Sequence, residues 1–254
     1  MKLCNIVPVQ WLKKIDLYTN IHLILAQEVL KSSFYGDFYR RRCIDGDFII
    51  VDNGAFEKET VSAEQIIEVA HKVFVPGKGT VEVVAPEIMG NPRASMDLLD
   101  RFITMLDQCY ISYFRLMVVV QGKTTDEAIE FFRNAKLYIK YAKVPITWGV
   151  PKYLDENRPS IVRMILEETT DPIHLLGLAG ASDRRIVHSR QIRSLDTSYA
   201  STIALTDLSP IPLDGGLRSP KRPPNFFNAA EPTDNQRHIY GVAYDWLRNE
   251  LDSR

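Results

Sequence analysis

Five positions carry residue types from which a reaction site could be built: Asp52, Glu87, Gln121, Gly177 and Asp196. Each follows a short apolar run. Phe48-Ile-Ile-Val-Asp52 leads into Asn53-Gly54-Ala55-Phe56, Val81-Glu-Val-Val84 into Ala85-Pro86-Glu87, and Leu116-Met-Val-Val-Val120 into Gln121-Gly122. Ile173-His-Leu-Leu176 runs into Gly177-Leu-Ala-Gly180, and Ile192-Arg-Ser-Leu195 into Asp196. Carboxylates gathered in one pocket can move protons and capture an electrophilic carbon. An amide side chain and a glycine backbone add hydrogen bonds at close range. For this to happen the five runs must be parallel neighbours whose tips form one pocket floor.

The elements between them suit that arrangement. A strand is expected at His22–Ala26, and others end at Asp52 and Glu87 and span Arg115–Val120, Pro145–Val150, Ile173–Leu178 and Ile192–Leu195. A helix should begin near Ser62, because Ser62-x-x-Gln65 can cap its own first turn and Ile66, Ile67, Val69, Ala70 and Val73 form an apolar face. Asn91-Pro92 starts a second helix and Thr124-x-x-Glu127 a third. Further helices are expected at Pro159–Leu166 and Asp183–Arg190. Strand and helix in strict alternation imply right-handed crossovers and a parallel sheet. Seven strands plus a weaker one at Thr202–Leu205 favour a closed (β/α)8 barrel, a TIM barrel of the α/β class, with its site at the C-terminal strand ends. No G-x-G-x-x-G or Walker loop supports an open sheet instead. The segment through Leu17 and the aromatic and basic stretch Ser33–Arg42 carry no assigned structure. Residues 208–232 read as an irregular, proline-rich basic loop, and 234–251 as a C-terminal amphipathic helix. One domain, 1–254, is expected.

Composition sets the outer bounds. With 45% hydrophobic and 25% charged residues, the 254-residue chain is globular rather than disordered. A formal net charge of -1 gives no global attraction to polyanions, so nucleic acid would need local basic patches. No apolar run nears the roughly 18 residues that span a bilayer, and no secretory signal opens the chain. A cytoplasmic protein without a membrane partner is expected, in the host cytoplasm if a phage encodes it. Cys4, Cys43 and Cys109 are odd in number and widely spaced, and the five histidines are equally scattered, so no metal site is expected.

The strand tips resemble the tRNA-guanine transglycosylase family, which exchanges guanine for a 7-deazaguanine. Val51-Asp-Asn-Gly-Ala-Phe56 is similar to that family's aspartate–serine–glycine–glycine–aromatic motif, with Asn53 and Ala55 as departures. Val84-Ala-Pro-Glu87 resembles its base-reading acid loop, with glutamate for aspartate. Val119-Val-Gln-Gly122 matches its V-Q-G motif, Leu176-Gly-Leu-Ala-Gly180 its G-L-A turn, and Leu195-Asp196 stands where its nucleophilic aspartate falls. The matches keep the family's order over residues 48–197.

What the resemblance implies is a division of labour. Base displacement at C1′ passes through an oxocarbenium-like state that a carboxylate beneath the sugar can capture, and Asp196 takes that role. Asp52 would give and take the proton as one base leaves and another enters. An ionised Glu87 would accept from N1–H and the exocyclic amine of guanine, with Gln121 or the N–H of Gly177 donating to O6. Asn53, Gly54, Phe56 and Leu178 complete the implied base pocket. No cofactor is implied.

The tRNA enzymes carry a zinc-binding Cys/Cys/Cys/His insertion and an RNA-binding domain, neither of which is found in this sequence. A short zinc-free chain looks like the phage and bacterial enzymes that place 7-cyano-7-deazaguanine or its relatives in DNA. Guanine-containing DNA and the free 7-deazaguanine base are the implied partners. Arg40, Arg41, Arg184, Arg185, Arg218, Lys221 and Arg222 are candidates for holding phosphates. The aromatics Phe34-Tyr35, Phe38-Tyr39 and Phe226-Phe227 are candidates for stacking on or wedging open a duplex, from which the target nucleotide must be flipped. A zinc-free enzyme acting on tRNA or other RNA, and an inactive barrel that binds nucleic acid, stay open as alternatives. A lyase or aldolase barrel is a third, with Lys152 its one loose Schiff-base candidate.

Overall fold

Seven parallel pairings join eight strands in a single sheet. The computed structural model describes the chain except for residues 16, 58, 109–112, 141, 181, 207, 210, 213–219 and 253–254. The first half contains β1 (Lys2–Asn5), β2 (Ile21–Leu25), α1 (Ala26–Lys31), α2 (Ser33–Ile44), β3 (Phe48–Asp52), α3 (Ala63–Val73), β4 (Thr80–Val84) and α4 (Pro92–Gln108). The second half contains β5 (Arg115–Val119), α5 (Thr125–Ile139), β6 (Ile146–Pro151), α6 (Arg158–Glu168), β7 (Ile173–Leu176), β8 (Ile192–Thr197), α7 (Tyr199–Thr206) and α8 (Asp234–Asp252). Strand order is β1-β8-β7-β6-β5-β4-β3-β2, and the end strands β1 and β2 lie against each other. The result is a nearly closed (β/α)8 barrel.

Two layers of apolar side chains follow from the two-residue period of the strands. Ile49 and Val51 of β3, Val81 and Val83 of β4, and Leu116 and Val118 of β5 face the helices in the larger core. Their neighbours Ile50, Val84, Met117 and Val119 fill the barrel interior with Cys4, Ile6, Leu23 and Leu25. The same alternation turns the last inward position of each strand toward the mouth, which is where the chemistry-bearing residues stand.

The helix starts form as their side chains dictate. Ser62 Oγ accepts from the Gln65 N–H while Gln65 accepts from the Ser62 N–H, a complete capping box on α3. Asn91 Oδ1 accepts from the Ala94 N–H at the start of α4. Thr124 Oγ1 accepts from the Glu127 N–H at α5.

Two expectations are corrected, and two stretches left unassigned gain structure. The strand expected at Thr202–Leu205 is helical, within α7, where the Thr202 N–H donates to the Ser198 carbonyl and Ser201 Oγ to that of Ile6. The missing strand is β1, in the unassigned N-terminal segment, pairing Cys4 with Asp196. Ser33–Arg42 lies in α2, capped by Ser32, with Tyr35, Tyr39 and Cys43 buried along one face. In place of a helix over Asp183–Arg190 there is a short 3-10 turn, Asp183–Arg185.

The described part of the proline-rich loop is tied down. Trp11 Nε1 donates to the Ala230 carbonyl at 2.9 Å, and Phe226 is buried with the inner barrel cluster. The C-terminal helix α8 packs on α7. Among the described residues, no helix is long and apolar enough to cross a membrane.

Candidate active site at the strand ends

Asp52, Glu87 and Asp196, far apart in sequence, line one cavity of about 730 Å³, counting space open to solvent. Phe56, Glu57, Lys152, Tyr153, Gly177, Leu178 and Arg222 share its wall. The fold brings them together because β3, β4, β6, β7 and β8 end on the same rim.

Asp196 is the most constrained of the carboxylates. Its Oδ1 accepts from the Gly177 N–H at 2.8 Å and meets Nε2 of the buried His174 at 3.1 Å. Burial opposes its charge, but the His174 hydrogen bond, the Gly177 N–H and Arg158 outweigh it and hold the carboxyl below its ordinary range. Burial also lowers the His174 pKa, against the pull of Asp196. A neutral ring with its proton on Nε2 satisfies both neighbours, since Nδ1 then accepts from Ser194 Oγ at 2.7 Å.

That ring is backed by a polar layer deeper in the barrel. A shift of register between β7 and β8 leaves Arg193 outside the ladder, and it turns inward. Its guanidinium grips the fully buried Glu82 (2.6 Å), which also accepts from Thr147 Oγ1, while its Nε approaches Ser194 Oγ at 3.3 Å. The turn that presents Gly177 is held from behind by the fully buried Arg158. It donates to the carbonyls of Gly177 and Val150, each at 2.7 Å, and pairs with Asp183, which accepts the Ala179 N–H. Gly177 has φ +72°, a conformation that favours glycine, and a Cβ there would lie 2.6 Å from Cδ of Lys152 and displace that side chain.

Asp52 has the opposite electrostatics. Burial, reinforced by Glu57 and Asp196, pushes its pKa up to about 8, against hydrogen bonds from the Gly54 and Asn53 N–H groups. Glu87 is also raised, well above the carboxylate range, by burial and by Asp52, with the Gln121 hydrogen bond opposing. Gln121 stands behind the wall. Its Nε2 donates to Glu87 Oε2 at 2.6 Å and weakly to the Val119 carbonyl, and its Oε1 accepts from the Gly90 N–H and the Tyr153 hydroxyl.

A scan against protein-family models found no match for this chain, and a search of curated proteins found none either.

Of the expected base-pocket residues, Phe56, Glu87, Gly177 and Leu178 line the cavity, and Gln121 touches it through Glu87. Asn53 shapes the turn instead: its amide donates to the Ala85 carbonyl and accepts from the Ala55 N–H, each at 2.8 Å. Gly54, at φ +76°, lets its N–H reach Asp52. The Gly177 N–H points at Asp196 and is not open to a base.

The basic candidates divide more sharply. Arg222 lines the cavity, paired with Glu57 at 2.5 Å. Arg40 donates to the carbonyls of Lys72 and Phe74, and Arg41 to that of Asp37, so both brace helices away from the cavity. Arg184 pairs with Glu250 of α8, Arg185 and Lys221 are exposed, and Arg218 lies outside the described residues. Burial takes Tyr35, Tyr39 and Phe226 out of contact with any duplex. Among the described residues no three His, Cys, Asp or Glu side chains are grouped to hold a metal ion.

Sequence reasoning passed over His174, Glu57 and Tyr153. No local signal marks them, because each gains its meaning from a neighbour on another strand or loop.

Proposed function

We propose that this barrel exchanges a guanine base in a nucleic acid, DNA in the first instance, for a 7-deazaguanine such as 7-cyano-7-deazaguanine. The observation that carries this reading is the pair of carboxylates in one cavity whose environments drive their pKa values apart, Asp196 down and Asp52 up to about 8. Such a split assigns an anion to one role and a proton carrier to the other.

Asp196, with Oδ1 held by Gly177 and His174, has Oδ2 to offer to C1′. The Oδ2–C1′ bond forms as the C1′–N9 bond breaks, and Asp52 supplies the proton that the departing guanine needs. The strand then waits as an aspartyl ester. An incoming 7-deazaguanine gives its N9 proton to the Asp52 carboxylate, attacks C1′ and frees Asp196. Both half-reactions balance with no further reagent.

Glu87 is placed to accept from N1–H and the exocyclic amine, two donors that favour its charged form. Gln121, fully buried behind the wall, holds it in position. In a duplex the target nucleotide must be flipped to reach this depth, which costs a few kcal/mol.

The test is incorporation of labelled 7-cyano-7-deazaguanine into duplex DNA, single-stranded DNA and tRNA offered in parallel. Transfer to DNA with a denaturation-resistant protein–DNA adduct, absent from Asp196→Asn, is the expected result. Transfer to tRNA alone would move the reading to RNA. No transfer to any polymer, with nucleic acid still bound, would leave a binding barrel.

A further inference from the structure

Lys152 follows β6 and lies along the wall of the cavity. Its stem packs on Gly177, the residue whose N–H holds Asp196. From there the side chain reaches outward, and Nζ stands 4.4 Å from the ring centroid of Phe56, which is 47% exposed at the mouth. Among the described residues, no hydrogen bond or ion pair reaches that ammonium. The other cation on the wall, Arg222, is engaged with Glu57.

An ammonium whose close neighbour is a π face, and which no hydrogen bond or ion pair among the described residues engages, can take an anion from outside the chain. The position selects which anion. With C1′ of a sugar on Asp196, the phosphate of the same nucleotide lies on the mouthward side of that sugar, the direction in which Lys152 runs from Gly177 to Phe56.

We propose that Lys152 holds the phosphate of the nucleotide whose base enters the pocket, so that the site takes a nucleotide unit rather than a bare nucleoside. This rests on the base-exchange reading for the placement of the sugar. It also moves the phosphate contact nearest the chemistry away from the arginines of α2 and of the Asp183–Arg185 turn. Burial lowers the Lys152 pKa against the pull of Asp196, so a phosphate at Nζ would relieve a penalty already present.

The experiment uses the full chain and calorimetric titration with GMP and guanosine, for wild type, Lys152→Met and Lys152→Arg. Wild type is expected to bind GMP about tenfold or more tighter than guanosine, as a hydrogen bond between charged groups warrants. Lys152→Met should lose that preference and Lys152→Arg keep it. A second arm measures binding of a guanine-containing oligonucleotide against salt. If strand phosphate is the natural occupant, Lys152→Met lowers the slope by about 1. A loss confined to GMP would instead mark a mononucleotide site. Wild type that binds GMP no better than guanosine, or binds neither, overturns the proposal, as does an unchanged preference in Lys152→Met. If wild type prefers GMP yet transfers no labelled base, base exchange fails and the phosphate site stands.

Discussion

Nε2 of His174 lies 3.1 Å from Oδ1 of Asp196, and Nδ1 of the same ring lies 2.7 Å from Oγ of Ser194. The imidazole therefore joins the candidate nucleophile to the Glu82–Arg193 ion pair in the barrel core. His174→Phe removes the Nε2–H donor and leaves Asp196 less able to stay charged. Since the Asp196 pKa is held down in the fold, losing a donor must raise it. The acid limb of the pH–rate profile is expected to move to higher pH by about one to two units, the worth of one hydrogen bond to a charge. The stability that ionised Asp196 contributes is present above the ordinary carboxylate range and lost as pH falls through its folded pKa, and His174→Phe should shrink it. An acid limb unmoved in the variant would show that His174 only fills space.

Asp52→Asn should separate stability from activity. The folded pKa of about 8 lies above the unfolded value, so the native state binds the extra proton. Stability therefore falls as pH rises from the ordinary carboxylate range to about 8. The asparagine variant lacks that slope. It is expected to resist urea better than wild type at pH 9, equal it more nearly at pH 4, and exchange bases poorly at every pH. Parallel urea curves for the two proteins across this range would contradict the assignment.

Glu87→Gln presents a donor where the guanine edge needs acceptors. An unpaired buried donor costs about 1–3 kcal/mol, so affinity for the free base should fall roughly tenfold or more. Gln121 can still donate to the new side chain, which keeps the wall intact. Equilibrium binding of labelled base decides the matter, and an unchanged constant would place the base elsewhere.

Arg158 and Asp183 are both fully buried and hold the Leu176–Gly180 turn. Arg158→Met strands the aspartate, and a loss of about 3–5 kcal/mol is expected in chemical unfolding. Arg158→Met combined with Asp183→Leu removes both charges and should recover much of it. Recovery of stability without recovery of base exchange would show that the pair also aims the Gly177 N–H at Asp196.

The sequence alone determined the alternation, and with it the barrel. Apolar runs ending in Asp52, Glu87, Gln121 and Asp196 locate the C-terminal strand ends, because a period of two makes the strands and a polar residue can end the run only where the pocket begins. Ser62, Asn91 and Thr124 mark helix starts by chemistry within one turn, and all three caps form. Local patterns of this kind are legible because cause and effect lie a few residues apart.

Only the tertiary structure decided which segment completes the sheet and how the acids are charged. Thr202–Leu205 has the apolar look of a strand, yet its backbone bonds locally and its face meets α8, while the four residues of β1 become a strand because β8 offers them an edge some 190 positions away. The same holds for His174, whose partners sit on β8, and for Lys152, whose course is set by Gly177 and Phe56. The charge states of Asp52 and Asp196 arise from burial and from what stands within hydrogen-bond reach. Those quantities exist only once strands distant in sequence share a rim.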